Sequence, residues 1–137
     1  MKTRIALTNF IDDLIYQMVL THRNLTDEND LSDSEYKVLW FVYKNPFATM
    51  KQIADFSDVS LPRASKIVDG LVGHGYVNRA STTDRRKIQI KLTDKGDKLI
   101  NKTIKSHQEI SELILSPLDP EEREALYVLL GKCKTLI

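Results

Sequence analysis

The 137-residue sequence holds one cysteine, one tryptophan, five glycines and four prolines, and each scarcity removes a class of protein. A lone thiol, Cys133, forms no disulfide within the chain and builds no cysteine-based zinc site unless other ligand types complete it. Glycine and proline are scattered, with no tract that marks a linker or a disordered tail, so one compact domain folded over its whole length is expected. No apolar run approaches the roughly 20 residues of a membrane span, and the opening MKTRIALTNFIDD lacks the apolar stretch and small-residue cleavage site of a secretory leader. A cytoplasmic protein without a membrane partner is the expectation. His22, His74 and His107 are spread over the chain without the short spacing of a metal motif, so neither a metal nor a cofactor is expected. Nucleophile elbow, phosphate loop and paired-carboxylate patterns are all missing, which argues against an enzyme.

Net charge is also nearly absent, at +1, but its placement is uneven. Residues 60–95 carry eight basic side chains (Arg63, Lys66, Arg79, Arg85, Arg86, Lys87, Lys91, Lys95) against three acidic ones (Asp69, Asp84, Asp94). The remainder is acidic. A basic segment on an acidic body suits a polyanion such as double-stranded DNA, because neutralising phosphates releases their counterions. A solvated charged face is the other reading.

Hydrophobic periodicity supplies the elements. Leu7, Phe10, Ile11, Leu14, Ile15 and Met18 recur at helical spacing within residues 3–25. Ser32 with Glu35, Thr49 with Gln52, and Asp119 with Glu122 are spaced as capping boxes at three later helix starts. The helix after Ser32 is apolar around most of its circumference and reads as central, ending at Asn45-Pro46. From Thr49 follow a short helix to about Ser57, a tight turn over Asp58, Val59 and Ser60, and a longer helix to about His74. That is a helix-turn-helix. In the second helix Ala64, Ile67, Val68 and Leu71 face inward, which turns Pro62, Lys66, Asp69 and Gly73 outward with Arg63, Ser65 and Gly70 on the flanks. Either Ser60 or Leu61 caps this helix, and Pro62 begins it.

Gly75 stops the helix. Residues Tyr76 to Ala80 have strand composition, and Lys87 to Leu92 alternate strictly, with Ile88, Ile90 and Leu92 on one face. A hairpin with a basic loop after a helix-turn-helix is the wing of a winged helix. Thr93 is placed to cap the next helix, which runs until Pro117 interrupts, and Pro120 opens a last one with Leu126, Leu129, Leu130, Cys133 and Leu136 on its apolar side. The fold class is therefore mainly α with a small β-hairpin wing: a winged helix-turn-helix over 31–96, with helices at 1–30 and 97–137 for dimerisation. Amphipathic helices at both ends supply stripes that one small winged helix cannot bury alone, and two-fold pairing is the commonest cover.

Four stretches, LSDSEYKVLWFV (31–42), QIADFSDVSLPRASKIVDGLVGHGYVNR (52–79), DRRKIQIKLTDKG (84–96) and the flanking helices, resemble the MarR-type transcription regulators. The most specific pieces are Asp84-Arg85-Arg86 and Leu92-Thr93-Asp94-Lys95-Gly96. Departures from the family pattern lie at Ser57, where an apolar residue is usual, and at Pro62, Gly70 and Gly73. The resemblance implies a triangular homodimer that binds DNA as a regulator, most often a ligand-responsive repressor acting on an inverted repeat. It also implies that Arg86 reaches a minor groove with Asp84 orienting it.

The candidate DNA-binding residues are Ser60, Pro62, Arg63, Ser65 and Lys66 in the second helix of the motif and Asp84, Arg85, Arg86 and Lys87 in the wing. Arg63 and Lys66 have the chemistry to read guanine, or else are solvated cations; Arg85 and Lys87 suit phosphates. Arg79, at the wing base, either ties the hairpin to the body or meets a phosphate. The resemblance also implies a small-molecule effector cleft, for which Tyr16, Tyr36, Trp40 and Tyr43 are candidates, although aromatics on a central helix are more often core. Cys133, on an apolar stripe, is expected to be buried and inert. A winged helix that binds only proteins is the competing class; it would favour uncharged faces.

Overall fold

A computed structural model describes residues 1–84 and 87–134. In chain order the elements are α1 (Lys2–Glu28), α2 (Asp33–Lys44), α3 (Met50–Ser57), α4 (Leu61–Gly73), β1 (Val77–Ser81), β2 (Ile88–Leu92), α5 (Asp94–Leu115) and α6 (Pro120–Cys133). The chain divides into two compact units, residues 1–103 and 104–137.

Helix ends are set by short-range chemistry. Ser32 and Thr49 make complete capping boxes, each hydroxyl accepting from the third helical amide while Glu35 or Gln52 reaches back. Asp119 accepts from the amide of Glu122 at 2.8 Å. Three helices stop in one way. After α1, α3 and α4 the chain turns left-handed at Asp30 (φ 54°), Asp58 (φ 52°) and Gly75 (φ 80°). The next amide then reaches back five residues, Leu31 to Thr26 O, Val59 to Ala54 O and Tyr76 to Leu71 O. Only one of the three stops is a glycine; aspartate tolerates this region better than most side chains.

The first unit has a core of Val38, Leu39 and Val42 from α2, Ile53 and Ala54 from α3, and Ala64, Val68 and Leu71 from α4. Val77, Ile90, Leu99 and Ile100 close it from the hairpin and α5. The first turns of α5, including Leu99 and Ile100 from the 97–137 stretch expected to serve dimerisation, thus pack within the first unit. Small Ala54 and Ala64 let α3 and α4 cross closely. Gly96 lies against the backbone of Tyr76, leaving no room for a Cβ. Beside it Thr93 donates to Gly75 O at 2.5 Å and caps the Gly96 amide at 3.1 Å.

The hairpin pairs Val77 with Leu92 through Ser81 with Ile88. Both strands begin one residue later than the composition implies, because the Tyr76 amide belongs to the α4 cap and the Lys87 amide bonds Asp84 O at 2.9 Å. Of the residues that alternation places on one face, Ile88 is exposed, Ile90 is buried and Leu92 is half-buried. A third segment joins the sheet: Ile90 donates to Ala48 O at 2.8 Å and Thr49 bridges Gln89.

In α1 the amphipathic stripe is exposed: Phe10, Ile11, Ile15 and Met18 are each about half accessible, and burial begins at Leu25 and Thr26. In the second unit α6 has no buried residue. Cys133, expected to be covered, is exposed, because it shares the open face of α6 with Leu129 and Leu130. Leu136 lies outside the described residues. No helix among the described residues is long and apolar enough to cross a membrane.

Candidate nucleic-acid interface

The helix-turn-helix is α3, the turn at Asp58, and α4. Ser60 is the N-cap of α4, its hydroxyl 3.4 Å from the Arg63 amide, and Leu61 opens the helix with Pro62 second. The expected start is thus corrected by one residue: Leu61 takes helical geometry even though a proline follows, and proline's missing amide costs nothing within the first turn. Ala64, Val68 and Leu71 are buried and Ile67 is half-buried, while Pro62, Arg63, Lys66, Asp69 and Gly73 are exposed. This is the division of faces that the spacing implies. Ser65 and Gly70 are half-buried on the flanks.

Arg79 is the contact that sequence reasoning left undecided. From β1 its Nη2 pairs with Asp69 Oδ1 at 2.6 Å and lies 3.2 Å from Ser65 O and 3.4 Å from Ser65 Oγ. The wing base is thereby fastened to the flank of α4. Nothing in the spacing of residue 79 from residues 65 and 69 announces this; it becomes readable only once β1 is known to run beside α4.

At the wing, Thr82 Oγ1 donates to Asp84 O at 2.7 Å, with Lys87 O at 3.1 Å, and Lys87 is exposed. Arg85 and Arg86 lie outside the described residues, so the expected orienting of Arg86 by Asp84 does too.

The four aromatic candidates have separate environments. Tyr16 is 61% exposed on α1, whereas Tyr36 is buried. The Tyr36 ring meets His22 edge-on at 4.4 Å, and burial pushes its phenol above the ordinary value, against the smaller opposing effect of a hydrogen bond with Thr103. Trp40 and Tyr43 lie 5.6 Å apart, with the Lys44 ammonium near both rings. Tyr43 also lines a cleft of about 460 Å³ with Pro46, Phe47, Lys91, Leu92 and Asp97. Among the described residues no three His, Cys, Asp or Glu side chains gather as a metal site.

A helix-turn-helix buttressed by a central helix and followed by a two-stranded wing defines a winged-helix DNA-binding protein. A model of the MarR family matches residues 29–87. An HTH-type transcriptional regulator of Bacillus subtilis, YfiV, is 30% identical over 121 residues, spanning 83% of this chain and 75% of its own length. The chain belongs to the MarR family of helix-turn-helix transcriptional regulators. Among solved structures, the YusO protein of Bacillus subtilis aligns with a TM-score of 0.79 at 20% identity, covering 99% of this chain and 97% of its own. Staphylococcus aureus MepR, in a complex with DNA, aligns with a TM-score of 0.76 at 21% identity, covering 93% and 97%. Both likenesses are of fold.

Proposed function

We propose that this regulator works as a homodimer on an inverted-repeat operator, with α4 in the major groove and the wing tip in the flanking minor groove. The observation that carries the reading is the exposed, uncluttered outer face of α4, where Arg63 and Lys66 stand beside a basic hairpin. Arg63 and Lys66 read base edges from the first turns of α4; Ser65 flanks them, Pro62 offers an apolar contact for a thymine methyl, and Ser60 holds the helix start. Arg86 enters the minor groove with Asp84 orienting it, and Arg85 and Lys87 meet phosphates. MepR, of the same fold, was solved in complex with DNA, which supports a DNA target for this chain.

Dimerisation is supported by the exposed apolar positions of α1 and by Leu129 and Leu130 on α6, which a lone chain in water leaves uncovered. Residues 1–30 and 97–137 supply that interface in this reading, and 31–96 the DNA-binding part. A small-molecule effector that lifts repression fits the family pattern, with Tyr16, Tyr36, Trp40 and Tyr43 as candidate contacts; the Tyr43 cleft supports at least one of them. A DNA target fits a protein that works in the cytoplasm.

Selection of binding sites from a random duplex library tests the whole reading. Enrichment of an inverted repeat whose half-sites lie about one helical turn apart is expected. A single ungapped half-site overturns the dimer, and no enrichment overturns sequence-specific binding. Sedimentation of the wild type and of a Leu129→Asp, Leu130→Asp variant should give a dimer and a monomer respectively; a monomeric wild type at micromolar concentration overturns the interface.

A further inference from the structure

We propose that Arg79 is a positioning residue of the DNA-reading surface: it masks the charge of Asp69 and fixes the Ser65 hydroxyl as a donor toward a base edge. The inference rests on the reading of α4 as the recognition helix.

Asp69 is the problem that Arg79 answers. It stands on the outward side of α4, one turn beyond Ser65, with its side chain 61% exposed. An unpaired carboxylate there repels the phosphates that the neighbouring cations attract. The Arg79 side chain, 31% exposed, closes on it at 2.6 Å, so the acid meets DNA as half of an ion pair. An arginine held this way has spent its charge within the protein and does not count among the phosphate contacts.

The same Nη2 points at Ser65, 3.2 Å from its carbonyl and 3.4 Å from its hydroxyl oxygen. A serine hydroxyl has one proton and two lone pairs. With a guanidinium N–H directed at a lone pair, the proton turns away from Arg79 and is free to donate. Purine N7, guanine O6 and thymine O4 are the major-groove acceptors it suits; the cytosine amino group is not. Arg79 and Asp69 thus act on specificity through Ser65, and they lock wing base to helix so that both meet the duplex in one register.

The experiment compares wild type, Arg79→Ala, Asp69→Ala, the double variant and Ser65→Ala on the selected operator and on a scrambled duplex, across salt concentrations. Arg79→Ala should weaken operator binding about tenfold and scrambled binding less, with an unchanged salt slope. The double variant should return to within about threefold of wild type, because contacting residues in one network do not add. Site selection with Arg79→Ala should relax the same base position that Ser65→Ala relaxes. A slope shallower by about one unit in Arg79→Ala, with equal loss on both duplexes and no recovery in the double variant, means a direct phosphate contact and overturns the inference. Arg79→Lys keeps the charge without the fork and serves if Arg79→Ala does not fold; it should recover affinity but leave the base position relaxed. A wild type that selects no duplex overturns the DNA-binding reading itself, a separate outcome.

Discussion

Gly96, in the first turn of α5, rests directly on the carbonyl oxygen of Tyr76, with no space for a side chain. The same carbonyl accepts from the Thr93 amide at 3.0 Å, so the junction of wing and α5 is held from both sides. Gly96→Ala must move backbone, and a loss of about 2 kcal/mol or more is expected from urea unfolding. Gly73→Ala is the control, since nothing lies within 4 Å of its added methyl. Helix propensity alone then predicts a gain of about 0.5–1 kcal/mol. Equal midpoints for the two variants would contradict the packing described.

The left-handed helix stops give a pair of opposite signs. Asp58→Gly removes a Cβ from a residue at φ 52° and should stabilise by a few tenths to about 1 kcal/mol, whereas Gly75→Ala places one at φ 80° and should cost about 1 kcal/mol. Thermal melts of both variants decide it.

Stability should also fall in alkali. Burial raises the Tyr36 phenol above its ordinary value, with the Thr103 hydrogen bond opposing, so the folded state holds the proton more tightly than the unfolded chain. The resulting stabilisation is complete below the unfolded value of about 10 and is lost as pH rises through the higher folded one. Tyr36→Phe should flatten this slope in urea titrations above about pH 9.5. Burial raises Tyr76 as well, so a shallower residual slope should survive.

Arg63→Ala and Lys66→Ala should each cost about 1–3 kcal/mol on the operator if they read bases, and relax one position per half-site. A uniform loss over all sequences would assign phosphates to them; no loss would remove α4 from the interface.

Much of this molecule is legible in its sequence because its signals are local. The Ser32 and Thr49 boxes, the Asp58 turn and the inward row Ala64, Val68 and Leu71 follow from spacings of three and four residues. The contacts that tie elements together do not. Arg79 finds Asp69 and Ser65 across a turn, Ile90 finds Ala48 across some forty residues, and Gly96 owes its identity to Tyr76 on another element. Cys133, expected to be buried, and Ile88, on the face of Ile90, are exposed for one reason: alternation and periodicity say which residues share a face, while whether that face is covered depends on what lies opposite.

The bond from Ile90 to Ala48, with the bridge from Thr49 to Gln89 beside it, joins the middle of β2 to the chain entering α3. Strand register is therefore anchored within β2 itself, independently of the loop that joins the strands. Insertions or deletions between Thr82 and Lys87 can change how far the wing extends while leaving the helix-turn-helix undisturbed. In the docking proposed above, reach along the duplex and choice of base are separately adjustable quantities, free to diverge independently as regulators of this kind acquire new targets.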